Sequence, residues 1–122
     1  MIYTIKADPI PWMRAGLNKA NRFYDRQVQN KIAFGLIVSK QHKNKPLFST
    51  PIHIDLQFHI KLPKSYTDIM PHIVKPDLDN LVKFVLDAIK DILITDDKII
   101  CKLTAHKLYS HEPKTIITIK EM

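Results

Sequence analysis

From residue 52 to residue 61 the chain reads IHIDLQFHIK. Ile52, Ile54, Leu56, Phe58 and Ile60 take every second position, with His53, Asp55, Gln57, His59 and Lys61 between them. Successive side chains of a strand point to opposite faces, so this segment predicts one long strand with a buried face and a wet face. An apolar face of that length has to be covered by another layer. Two helices are predicted to supply it. Between Arg22 and about His42, Tyr24, Val28, Ile32 and Leu36 recur every four residues, the spacing of an amphipathic helix, with Gly35 a weak point inside it. From Leu78 to Leu93, Leu78, Leu81, Val82, Val85, Leu86, Ile89 and Leu93 form a second apolar face.

Alternating polarity at residues 2–7, 98–109 and 115–120 predicts three more strands, the last two joined by SHEPK as a candidate hairpin. The proline-punctuated stretches 8–21 and 61–76 read as loops. The order β-α-β-α-β-β makes one α+β domain over residues 1–122, a mixed sheet with two main helices packed on one face. Cys101, the single cysteine, cannot form an intrachain disulfide and alternates with apolar neighbours, so it is expected in the core of a protein from a reducing compartment. No apolar run reaches the roughly 18 residues of a membrane span, and MIYTIKADPIP has no signal-peptide core. A cytoplasmic protein without membrane contact is the expectation.

Nineteen Lys and Arg stand against 12 Asp and Glu, a net charge of +7. That balance suits a polyanion, nucleic acid before an anionic membrane surface, or merely a soluble basic surface. Against it, the acids gather in KPDLDNLVKFVLDAIKDILITDD: Asp77 and Asp79 where the second helix opens, Asp96 and Asp97 just beyond its end. Residues two apart on a helix diverge by about 200°. Asp77 and Asp79 therefore converge only if Asp77 stays at the N-cap or before it, which Pro76 favours. Two readings stand open. Asp77 and Asp79 are ordinary caps and dipole partners, with Asp79–Lys83 a helical ion pair and Asp96-Asp97 a turn. Alternatively the carboxylates hold a hard cation such as Mg²⁺, with Lys83 beside it to offset charge developing on a phosphate.

The spacing adds a constraint. A helix over 78–92 is about 22 Å long, and the residues from its end to Asp97 span at most about 17 Å. Unless the helix is much shorter than its pattern, Asp97 can hardly reach Asp77 and Asp79 of its own chain. Two copies about a two-fold axis, with these helices antiparallel, would bring Asp97 of one to Asp77 and Asp79 of the other.

Lys75-Pro-Asp-Leu-Asp-Asn-Leu-Val-Lys83, Leu86-Asp87-Ala88 and Asp96-Asp97 resemble the signature of the RusA-type Holliday-junction resolvases. Pro9–Arg14, Arg22–Gln27 and Ile117–Met122 are similar to that family's outer segments. The resemblance implies a homodimeric, Mg²⁺-dependent crossover junction endodeoxyribonuclease, bacterial or phage-encoded, with Mn²⁺ as a substitute, that nicks four-way DNA junctions in symmetric pairs during recombination and repair. It implies Asp77, Asp79 and Asp97 as metal ligands, Asp96 as the adjacent acid and Lys83 as the essential lysine. Lys75, Lys83 and Arg14 are the implied DNA contacts. Loop 61–76 is a further candidate contact.

The rival is a non-catalytic basic DNA-binding domain whose acidic cluster caps a helix, although unoccupied acids would repel phosphate. Asp-x-Asp phosphotransferases and glycosyltransferases usually place that motif after a strand of a larger domain, not at a helix start. The six histidines, at 42, 53, 59, 72, 106 and 111, lack zinc-ligand spacing, and His53 and His59 belong to the wet face of the strand. Trp12 and Tyr66 sit in loops near basic residues, suited either to stacking on a base or to packing on the core.

Overall fold

A computed structural model describes residues 1–63 and 73–122. Four strands form the main sheet: β1 (Ile2–Ile5), β4 (Ile52–Lys61), β5 (Ile100–Ser110) and β6 (Lys114–Glu121). Their order across the sheet is β1-β6-β4-β5. β6 runs antiparallel to both β1 and β4, and β4 pairs parallel with β5, so the sheet is mixed. The alternation in residues 52–61 is realised. Ile52, Ile54, Leu56 and Phe58 are almost wholly buried, while His53, Asp55, Gln57 and His59 between them are only partly covered. β4 takes the centre because its apolar side chains need sheet on both flanks and a layer above.

That placement overturns the expected hairpin. β5 and β6 are consecutive but do not pair, because β4 lies between them and residues 111–113 carry the chain across its end. β5 is therefore an edge strand. Cys101 is exposed on it, not buried in the core, and Leu103 is exposed as well. A two-stranded sheet of β2 (Gly16–Leu17) and β3 (Phe23–Tyr24), absent from the expected order, stands apart from the main one. A Cβ on Gly16 would fall inside the Tyr24 ring, so only glycine lets the two strands close.

Both helices, α1 (Val28–His42) and α2 (Leu78–Ile89), cover the same face of the sheet. α2 contributes Leu81, Phe84, Val85, Ala88 and Ile89 to the core, and Phe34 of α1 meets Phe84 edge-on with ring centroids 5.6 Å apart. α1 begins six residues later than expected and uses a different face. Tyr24 lies in β3, and Val28, Ile32 and Leu36 are all exposed, Leu36 by 59%. The buried side of α1 is Phe34, Gly35, Val38 and His42. His42 is held in the core by Tyr3: the Tyr3 hydroxyl lies 2.8 Å from Nδ1, while Nε2 lies 3.0 Å from the Pro46 carbonyl. Since a carbonyl only accepts, Nε2 carries the proton and Nδ1 accepts from Tyr3.

β4, α2 and β5 make one crossover between neighbouring parallel strands, the connection that such strands require. Both acidic clusters lie on this crossover, one at each end of α2.

Candidate active site

Asp77 occupies the N-cap of α2 with extended backbone angles. Its carbonyl accepts from Leu81 at 3.2 Å, but its carboxylate makes no cap bond. Asp79, in the first turn, accepts only from the N–H of Asn80 at 3.0 Å. Both side chains are exposed, so neither is consumed by holding the helix together. The helical ion pair Asp79–Lys83 is not formed. Lys83 Nζ lies instead over the Trp12 ring, 3.7 Å from its centroid.

α2 ends at Ile89, four residues short of the expected Leu93. The N–H groups of Ile92, Leu93 and Ile94 all turn back to the Ile89 carbonyl, at 3.0, 2.9 and 3.4 Å. No glycine is present to make this turn. Asp91 takes the left-handed conformation, φ 63°, which a short polar side chain tolerates better than most. Leaving the helix here lets Leu93 and Ile94 bury completely. Phe48 then clamps the turn, its N–H donating to the Leu93 carbonyl at 2.8 Å and its own carbonyl accepting from Thr95 at 3.0 Å.

Asp96 caps the short 3₁₀ turn Asp97–Ile99, accepting from the Lys98 N–H at 3.5 Å. Asp97 has no such partner. Desolvation by the surrounding protein pushes its carboxyl above the usual range, Lys90 pulls it back, and the like charges of Asp87 and Asp96 raise it further. Asp87 itself faces Lys31 of α1 at 3.8 Å, and Lys31 also holds Asp25 at 2.7 Å.

A groove of about 630 Å³ runs along the outer side of α2. Leu78, Val82, Leu86 and Leu103 form its floor, and Asp79, Lys83, Asp87 and Asp97 its polar rim. Asp79 and Asp87 are two turns apart, about 12 Å along the axis. Asp97 belongs electrostatically to the Asp87 end. Among the described residues of one chain, no three Asp, Glu, His or Cys side chains come together as a metal-holding group.

Asp77 opens on the other side of the helix start. There, Pro11, Trp12, Lys75, Pro76 and Asn80 join it in a second hollow of about 410 Å³. Trp12 and Lys83 stand between the two hollows. Lys75 is exposed at the rim, and Arg14 is exposed in the segment that leads from Trp12 to β2.

Two positioning residues escaped the sequence. Lys107, on β5, donates to the carbonyls of Val74 and Pro76, both at 2.7 Å, and so ties the approach to Asp77 down to the sheet. Gln27, just before α1, is almost fully buried and grips the segment around Trp12. Neither carries a local sequence signal, because each bonds main chain more than a dozen residues away. Tyr66, His72 and the middle of loop 61–76 lie outside the described residues.

A basic α+β domain with exposed carboxylates at both ends of one crossover helix and a lysine between them has the residue types that metal-assisted phosphodiester chemistry uses. The model of the family described as endodeoxyribonuclease RusA matches residues 7–120, nearly the whole chain. The chain belongs to that family. It is also 29% identical over 97 residues to the uncharacterized protein YqaN of Bacillus subtilis (strain 168), a match covering 70% of this chain and 68% of that one. Among the described residues, no helix is long and apolar enough to cross a membrane.

Proposed function

We propose that the protein is a divalent-metal-dependent endonuclease that nicks four-way DNA junctions in symmetric pairs as a homodimer. The observation that carries this reading is the family match over residues 7–120, together with Asp79, Lys83 and Asp97 on the rim of one groove. The donor set suits the cation: carboxylate oxygens on exposed side chains, with no thiolate or imidazole among them, are what Mg²⁺ or Mn²⁺ takes. When bound, such an ion supplies Lewis-acid polarisation of the scissile phosphate.

The remaining work falls to the chain. Asp77, Asp79 and Asp97, with Asp96 adjacent, would hold the ion, Asp77 by turning its exposed carboxylate around the helix start from the second hollow. Lys83 brings a positive charge to the phosphate as it gains negative charge. Lys75 and Arg14 contact the backbone, and the +7 net charge steers the polyanion to the acidic ends of α2. The two carboxylate ends of α2 are joined across a two-fold axis, so that each site takes Asp77 and Asp79 from one protomer and Asp97 from its partner. The apolar floor of the groove, Leu78, Val82, Leu86 and Leu103, is the contact that such a pair would bury.

The competing DNA-binding reading needs Asp77 as a cap, and its carboxylate makes no cap bond. The deciding experiment offers a labelled four-way junction and a matched duplex to the wild type and to Asp77→Asn, Asp79→Asn, Asp97→Asn and Lys83→Ala, with and without Mg²⁺. Paired nicks in the junction alone, by wild type with metal only, and junction binding without cutting by all four variants, are expected. Near-wild-type cutting by an asparagine variant removes that residue from the ligand set. Binding without cutting under any metal leaves a DNA-binding module.

A further inference from the structure

Lys83 sits one helical turn beyond Asp79, where an ion pair is the ordinary outcome, yet its ammonium rests on the Trp12 indole. The two arrangements differ chemically. A carboxylate partner would cancel the charge of the lysine and compete with a cation for Asp79. An aromatic face attracts the ammonium through its quadrupole, carries no formal charge, and leaves the N–H donors that point away from the ring free.

The indole is presented on a braced segment. Trp12 N–H donates to the Asn80 carbonyl in the first turn of α2 at 2.8 Å. Gln27 brackets the residues on either side, Nε2 donating to the Pro11 carbonyl at 2.8 Å and Oε1 accepting from Met13 N–H at 2.9 Å. Gln27 is itself only 2% exposed, so the brace is anchored inside the protein. Pro9 and Pro11 stiffen the approach. Trp12 packs against the core cluster, and Lys83 lies over its ring. Three consecutive residues are therefore fixed to α1 and α2 at the one place where an aromatic ring meets the lysine.

From this geometry we propose that Trp12 is the positioning residue for Lys83: it holds the ammonium off Asp79, at the ring that stands between the two hollows. This rests on the reading of Lys83 as the group that meets the scissile phosphate. Trp12 touches no reacting atom itself.

The test separates placement of the lysine from folding and from DNA binding. Junction cleavage is measured in single turnover, and junction affinity separately, for wild type, Trp12→Phe, Trp12→Leu and Lys83→Ala. Loss of a cation–π contact should slow cleavage by Trp12→Leu roughly 3- to 30-fold while affinity stays within about 2-fold. Trp12→Phe, which keeps a ring, should lose less. In protein carrying ¹³C-lysine, the ε-methylene protons of Lys83 should be shifted upfield by the indole, and the shift should vanish in Trp12→Leu without any substrate or metal present. Unchanged Lys83 resonances in Trp12→Leu, or equal cleavage by all three residues at position 12, would overturn the proposal. So would a loss that appears in affinity alone. If Lys83→Ala cuts as well as wild type, the functional reading beneath fails instead. If Lys83→Ala is inactive and Trp12→Leu is not, only the positioning role fails. Should Trp12→Leu not fold, Trp12→Phe and the Lys83 shift in wild type carry the decision.

Discussion

Two chains, each unable to cut alone, should restore cutting when mixed, provided their defects lie at opposite ends of α2. Asp79 and Asp87 are separated by about 12 Å of helix, and Asp97 lies with Asp87. A Mg²⁺ ion bonds its oxygens at about 2 Å, so one ion cannot join ligands at both ends. In an antiparallel two-fold pair, Asp79 of one protomer meets Asp97 of its partner, twice. When Asp79→Asn and Asp97→Asn chains are mixed in equal amounts, about half the dimers are mixed, and each has one intact site and one doubly damaged site. About a quarter of all sites are then competent. A nicked-plasmid or labelled-junction assay should read single nicks at about that fraction of the wild-type amplitude, with almost no paired nicks. The reciprocal mixture sharpens the comparison. Wild type combined with an Asp79→Asn/Asp97→Asn double variant should yield mixed dimers with no intact site. If each site lay within one chain, the two mixtures would exchange outcomes. That exchange, or no recovery in the first mixture once mixed dimers are demonstrated, would refute the shared site.

Two other predictions concern the scaffold. Among the described residues His59 Nδ1 is buried without a partner, and burial, followed by the charges of Lys114 and His106, holds the His59 pKa below the ordinary imidazole value. The unfolded chain therefore binds the proton more readily than the folded one, so the contribution of His59 is complete above pH about 6.5 and is lost as pH falls toward its lowered folded value. Urea midpoints at pH about 7.5 and about 5 should converge in His59→Leu relative to wild type, and an unchanged difference would contradict this account. Gly35, inside α1, has room for a methyl: a Cβ would lie 3.6 Å from the Ile92 side chain, ordinary contact distance. Gly35→Ala should therefore raise stability by about 0.5–1 kcal/mol, read from the same titrations, whereas a destabilised variant would mean that the two helices cannot admit the methyl.

The elements with a single buried face could be read in advance. β4 alternates strictly and lies where its pattern places it, whereas α2 does so only in part. Leu81, Val85 and Ile89 enter the core, but Leu78, Val82 and Leu86 line the outer groove, and Phe84 takes a core place that the expected face does not include. α1 could not be read this way, because its apolar residues lie around the whole cylinder. Ile32 and Leu36 form a convincing stripe, yet the sheet takes Phe34 and Val38, and the stripe faces outward. The hairpin expectation failed for another reason. Strand patterns give faces, not neighbours, and a three-residue link between β5 and β6 looks local although it steps over β4. At the site, the spacing leaves two possibilities, a short helix or a site shared between chains; α2 does end early, at Ile89, and Asp97 comes within electrostatic reach of Asp87. The lysine's true neighbour could not be inferred, since Trp12 is 71 positions from Lys83 and Gln27 is remote from both.

The crossover joins two strands that already lie side by side, so their pairing does not by itself set the length of α2. In a two-fold pair it becomes a ruler. If the proposed shared sites are right, the distance between the two cutting centres would be the distance between the ends of this helix, and one further turn would spread the paired nicks by about 5.4 Å. Where the enzyme cuts, relative to the centre of a branch, is then a dimension written in helix length, separable from the chemistry at either end.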